Sequence, residues 1–232
     1  MSDYLRKQIS EFDKMQSIGA GMFSFSCEPQ IVVPQSGFTL TFEEKQKLTT
    51  EQLFGILAEY TTPDMLDNFS FRRTVFIKIF GWSIPSPGSL EAAIEFLAGD
   101  NVLEIAAGLG FWSALFRSKN VVVHTSTIVE ERFYNQEQMQ LDIWTHIESL
   151  DCVDAVKKYP DTNCLFLSWG WQVLDKVLPE FKGNKLIIIG ENVQEVTDFL
   201  DTDETNQFEL VKSVRIPQFS CMKDIMRFYI RK

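Results

Sequence analysis

The sequence predicts an α/β protein built on a Rossmann-like sheet, mostly parallel, with a mainly helical extension ahead of it. Three features carry that expectation. From about residue 79 onward, short apolar runs alternate with segments of helical spacing. The runs "LIII" and "CLFL" are apolar without interruption, as strands covered on both faces are. The last two strand-like segments follow one another with no helix between them, which sets an antiparallel hairpin at the C-terminal end. The expected division is 1–78 for the helical extension and 79–232 for the α/β domain.

Residues 2–17 place Tyr4, Leu5, Ile9, Phe12 and Met15 at roughly helical spacing, an amphipathic helix. Residues 19–41 mix Gly, Pro and Ser with short β-favouring runs and read as loop with one strand at most. Thr50 is a candidate N-cap for a helix carrying Leu53, Phe54, Ile56 and Leu57, and another helix is expected over 63–80 with Pro63 in its first turn. Ser89 is the candidate cap of a helix over 89–97. Then "NVLEIA" (101–106) is a strand, "FWSALFRS" (111–118) a helix and "VVVHTS" (121–126) a strand. A weaker strand lies in 143–149, a helix around 153–159, a strand over 164–169 and a helix over 172–181. A strand over 185–191 and a helix over 193–200 precede the closing strands 208–217 and 225–232.

Composition excludes several function classes. A net charge of −10 and a pI near 4.8 argue against a polyanion-binding surface without forbidding a local patch, because such surfaces rest on clustered Lys and Arg. The cysteines (Cys27, Cys152, Cys164, Cys221) are far apart, show no CxxC spacing and have no histidine pair beside them, so they read as free thiols and no metal site is expected. No apolar h-region and no 18-residue apolar run occurs, so the expectation is no signal peptide, no membrane span and a reducing, cytoplasmic compartment.

The chemistry concentrates in "NVLEIAAGLGFWSALF" (101–116), where an acidic residue closes an apolar strand and small residues lead into a helix. Small residues ahead of a helix let a ligand approach the main chain. Glu104 would repel a pyrophosphate and suits a ligand carrying a cation, such as an amino group or sulfonium. The alternative is a tight strand-to-helix turn with Glu104 solvated or capping something. "GLGFWS" also gives G-x-G-x-x-S, a weak match to the dinucleotide pattern of a nucleotide-linked oxidoreductase.

Glu104, Ala106, Gly108 and Gly110 stand where the motif E/D-x-G-x-G-x-G is found, and the chain from about Phe80 onward resembles the class I S-adenosylmethionine-dependent methyltransferases. Within them it is similar to a little-characterised branch with F-x-W-x-I-P, E-I-G-A-G-x-G-Y-W and L-F-L-S-W-P-P motifs. The matching segments are "FGWSIPS" (80–86), "EIAAGLGFW" (104–112) and "LFLSWGW" (165–171), with "LIIIGE" (186–191) and "RIPQF" (215–219). The resemblance implies S-adenosylmethionine as cofactor. Glu104 would then lie near its amino group through water, with Ala106, Ala107, Gly108 and Gly110 passing it as nearly bare backbone. Trp82 and Pro85 would line the approach, and Ser168 and Trp169 would lie beside the transferred methyl group and its acceptor, whose identity is open.

The chain departs from that pattern at three places. Ala106 replaces a glycine, which costs about 1 kcal/mol if the position needs positive φ. Strand two offers His124, Thr125 and Ser126 where a carboxylate would hold ribose hydroxyls, and Glu130 and Glu131 come late. Thr125 is the candidate there, and a neutral acceptor forfeits about 1.5–3 kcal/mol. Gly170 replaces a proline after Trp169, and neither histidine, His124 or His146, is placed as a base. Two readings follow: a methyltransferase of unknown acceptor, or a catalytically inactive methyltransferase-like fold serving as a binding or assembly module.

Overall fold

Uninterrupted apolar runs end up in the middle of the sheet, where both faces are covered. The strands are β1 (Val102–Glu104), β2 (Val123–Thr127), β3 (Glu148–Ser149), β4 (Cys164–Ser168), β5 (Lys185–Glu191), β6 (Phe208–Arg215) and β7 (Asp224–Arg231). They lie in the order β3-β2-β1-β4-β5-β7-β6. Pairs from β3 through β5 are parallel, while β7 runs antiparallel to both β5 and β6. This is the mostly parallel sheet with a closing antiparallel hairpin that the alternation predicts. The chain moves outward from β1 to β2 and β3, then returns to β4 on the other side of β1. The switch point of the sheet is therefore the crevice between β1 and β4, where ligands of open α/β sheets bind.

The computed structural model describes residues 40–62, 73, 76, 77, 79–128, 143–191, 207–220 and 222–232. The helix expected over 2–17, the loop over 19–41 apart from its last two residues, the helix over 193–200 and most of that over 63–80 lie outside the described residues, as do Cys27, Glu130, Glu131 and Cys221. Phe42–Lys232 form one compact unit.

Strand alternation assigns the two faces. Leu103, Leu165, Leu167, Leu186 and Ile188 pack against Ala155 and Val156 of α5 (Cys152–Lys158) and Leu174 and Val177 of α6 (Leu174–Val177). On the other face Phe166 meets Trp112 and Phe116 of α4 (Phe111–Ser118) at 5.3 and 5.2 Å between ring centres, and Phe228 meets Phe96 of α3 (Pro87–Leu97) at 5.1 Å. Phe116, Phe166 and Phe228 are fully buried, and each such ring contributes about 1.5–3 kcal/mol. Ahead of them stand α1 (Phe42–Lys45) and α2 (Thr50–Glu59), the latter tied to α4 by a 2.7 Å hydroxyl contact between Thr50 and Ser118.

Helix starts differ from the sequence reading by small, explicable shifts. Thr49, not Thr50, caps α2, in a capping box with Gln52. Ser86, not Ser89, caps α3, and Ser89 returns the bond to the Ser86 N–H at 2.8 Å. Pro87 decides between the two serines, because its fixed φ and missing N–H suit the first helical position. The helix expected over 172–181 is a 3₁₀ turn, Trp171–Val173, followed by the single turn of α6. Pro179 lacks the N–H that would continue the ladder. Cys152 and Cys164 are free and buried.

The end of the sheet opposite the crevice is pinned by Asn163. Its N–H donates to Asn101 Oδ1 at 2.9 Å, its Nδ2 to Asp100 Oδ2 at 2.8 Å, and its Oδ1 accepts the Asn184 N–H at 3.0 Å. These bonds join the starts of β1, β4 and β5. Asn163→Ala should cost about 1 kcal/mol in urea unfolding, because it removes two side-chain hydrogen bonds while the Asn184 N–H keeps the residue-163 carbonyl and Asp100 keeps Lys185; an unchanged midpoint would show the hub to be dispensable.

Candidate functional site

The carboxyl group of Glu104 closes β1 and is only 2% exposed. Ser113, in the first turn of α4, gives it both its hydroxyl and its backbone N–H. Thr125 of β2 donates its hydroxyl to Ser113 Oγ at 2.7 Å, and Arg117 reaches Thr125 Oγ1 at 3.3 Å and the Val123 carbonyl at 2.9 Å. The result is a chain of donors running from guanidinium through two hydroxyls to carboxyl. Each member polarises the next. Burial nonetheless pushes Glu104 from 4.5 up to about 7, against the bonds from Ser113 and the charge of Arg117. Glu104 is thus a capping group of α4, and both it and Thr125 are engaged with the protein's own groups. An internal carboxyl at that helix start also competes with any pyrophosphate, which disfavours the dinucleotide alternative.

Between β1 and α4 the backbone turns left-handed at every second residue: Ala106 (φ 53°), Gly108 (φ 56°) and Gly110 (φ 73°). Ala107 donates its N–H to the Ser126 carbonyl at 3.0 Å, and Gly110 donates to Ala107 at 2.9 Å, so the turn lies against the end of β2. The two glycines have different reasons. A side chain at Gly110 would strike Thr145 Cγ2 at 2.8 Å, whereas one at Gly108 would enter open space. Gly108 is therefore the position where the turn leaves its backbone open. Of the residues packed against the turn at Ala107 and Gly110, Ser126 and Thr145 carry buried hydroxyls with no hydrogen-bond partner among the described residues. Each calls for an ordered water or a ligand group.

Ala106 also bears on Gly170. The position a side chain would take at Gly170, beyond β4, lies 3.1 Å from Ala106 Cβ. The Ala106 methyl group occupies room that a side chain at residue 170 would need. The two residues thus share one packing space across the switch point.

The residues around the end of β4 gather in a second cluster. Ser168, ending β4, shares a 2.7 Å hydroxyl contact with Ser83, which accepts the Trp112 indole N–H at 2.9 Å. Trp82 and Trp169 face each other with ring centres 6.2 Å apart, and the Arg73 guanidinium lies 5.3 Å from each ring. Pro85 is buried just ahead of α3. The structure so brings together Trp82, Ser168 and Trp169, and separately Ala106 to Gly110, with Glu104 and Thr125 beneath the turn. His124 is stacked on Tyr159 at 3.8 Å, and burial lowers its pKa; His146 is exposed. Sequence reasoning passed over Ser83, Ser113, Arg117, Arg73 and Asp224. Ser113 and Arg117 were open to discovery, since they stand four apart on the helix that follows Glu104.

No protein-family model matches the chain, and no curated protein matches it. Solved structures do. Sp1610 of Streptococcus pneumoniae, in complex with S-adenosyl-L-methionine, aligns with TM-score 0.48 and 11% identity over 63% of this chain and 73% of that one. The M1A22 tRNA methyltransferase TrmK of B. subtilis gives 0.46 and 12% over 62% and 65%. TrmN of Thermus thermophilus gives 0.46 and 10% over 69% and 53%, so the chain spans about half of TrmN. At these scores no residue's role passes from them to this chain. Among the described residues no helix is long and apolar enough to cross a membrane.

A carboxyl whose pKa is higher folded than unfolded stabilises the fold while neutral. For Glu104 that contribution is complete below about 4.5 and is lost as the pH rises through about 7. It amounts to about 3 kcal/mol. Glu104→Gln should flatten this decline, read as a smaller loss of urea-unfolding free energy between those limits than in the wild type; parallel profiles would refute the buried carboxyl. At the turn, Ala106→Gly should stabilise by about 1 kcal/mol. Gly170→Ala should destabilise the wild type by about 1–2 kcal/mol and the Ala106→Gly background by less. Additive effects would mean that the two residues do not share the space.

Proposed function

We propose that the protein binds S-adenosylmethionine across the C-terminal ends of β1, β2 and β4 and transfers its methyl group to an acceptor beside Ser168 and Trp169. The observation that supports this reading best is the open left-handed backbone at Gly108, set at the switch point of the sheet. When bound, that cofactor supplies an electrophilic methyl group on a positively charged sulfur. The turn from Ala106 to Gly110 would give it close main-chain contact. Ser126 and Thr145 hold hydroxyls with hydrogen-bonding capacity to spare, while Glu104, held through Ser113, keeps the turn in shape. Ser168, paired with Ser83, would position the acceptor. Alignment of reactants is enough for methyl transfer to a nucleophile that needs no strong base.

The second reading, an inactive methyltransferase-like binding module, is favoured by one specific feature: Glu104 and Thr125 are both consumed by internal bonds. Calorimetry separates the two. Heat of binding with S-adenosylmethionine and S-adenosylhomocysteine is expected, and Gly108→Val, which fills the open space, should weaken it by about tenfold or more, roughly 1.4 kcal/mol. No binding at millimolar cofactor would leave only the module.

A further inference from the structure

The cluster beyond β4 has the chemistry of a cation receptor. Trp82 is 38% exposed and forms an outer wall; Trp169 forms the inner one. Glu191 and Asp224 lie directly opposite each other in the β5–β7 register, and the charges of both act on Arg73. Indole faces attract a cation, and a planar guanidinium can meet two such faces while its N–H groups point at carboxylates.

Three observations indicate that the arrangement does more than pack. Trp169 holds φ at 64°, a conformation that is strained for a bulky residue, with its N–H bonded to the Ile189 carbonyl at 2.8 Å. Strain of this kind collects where a side chain must be aimed. Asp224 is 4% exposed and the Trp169 indole N–H acts on its carboxyl, yet its Oδ1 makes no full hydrogen bond among the described residues, so an N–H donor could be accepted there. The chain's net charge of −10 draws cations toward its surface.

We propose that Trp82, Trp169, Glu191 and Asp224 form a guanidinium-binding site in which Arg73 is the resident occupant, and that the site takes an arginine-like ligand in its place. That such a ligand would also be the methyl acceptor rests on the reading in the preceding subsection; that the cage binds a guanidinium does not. Arg73, tethered in the same chain, competes at high effective concentration, and its removal should unmask the site.

The test is titration of wild type and Arg73→Ala with agmatine and with a short arginine-containing peptide, without cofactor, at constant ionic strength. Tryptophan fluorescence and the thermal midpoint are followed. Arg73→Ala should respond saturably to at least one probe, about tenfold tighter than wild type, and the probe should raise its midpoint. That rise serves as the readout if loss of Arg73 destabilises the fold. Response to agmatine alone identifies a small-molecule site, and response to the peptide as well a site open to arginine in a chain. Trp82→Ala added to Arg73→Ala should abolish both effects. The proposal is overturned if Arg73→Ala shows neither fluorescence change nor midpoint shift, if Trp82→Ala leaves them intact, or if choline, which offers no N–H, matches agmatine. Cofactor binding tested by calorimetry stands or falls separately.

Discussion

A carboxyl group shut away from water must be met by donors within the protein, and the rest of this site is arranged around that requirement at Glu104. The nearest donors are the N–H and hydroxyl of Ser113, nine residues on in the chain and already in a helix. To bring the start of α4 down onto the end of β1, the intervening backbone has to reverse within a few residues. It does so by entering the left-handed region at Ala106, Gly108 and Gly110. An open backbone at Gly108 is the by-product of capping a helix from the strand that precedes it.

Ala106, Gly170 and Thr125 are arranged around the same turn. Ala106 carries a side chain at a strained φ, and the bare backbone of Gly170 makes room for it. Thr125 on strand two links Ser113 to Arg117 and so extends the support of Glu104 to a cation. The polar chemistry is thereby drawn beneath the turn. Beyond β4 two indoles and a buried carboxyl gather around a half-buried guanidinium.

Much of the fold was legible because burial on both faces demands an uninterrupted apolar run. β4 and β5 were read within a residue of their ends, and α4 at its observed limits. Boundaries slipped where two neighbouring residues offer the same chemistry, as with Thr49 and Thr50 or Ser86 and Ser89. The helix after β4 was read too long because apolar spacing outweighed Pro179. At the site, small residues and an acid were visible as a motif. The direction in which that acid points was not, because a carboxylate can serve a helix or a ligand with the same spacing.

By itself, then, the sequence determined the layered architecture, the place of the switch point and the turn that marks it, since these follow from periodicity and from residues that tolerate unusual backbone. Only the tertiary structure decided how the polar groups are spent. Glu104 with Ser113, Ala106 with Gly170, and Arg73 with two tryptophans are pairings that depend on which atoms lie within a few ångströms. Hydrogen bonds and cation–π contacts decay over that distance, so residues remote in the chain enter the site only once the sheet has brought them there.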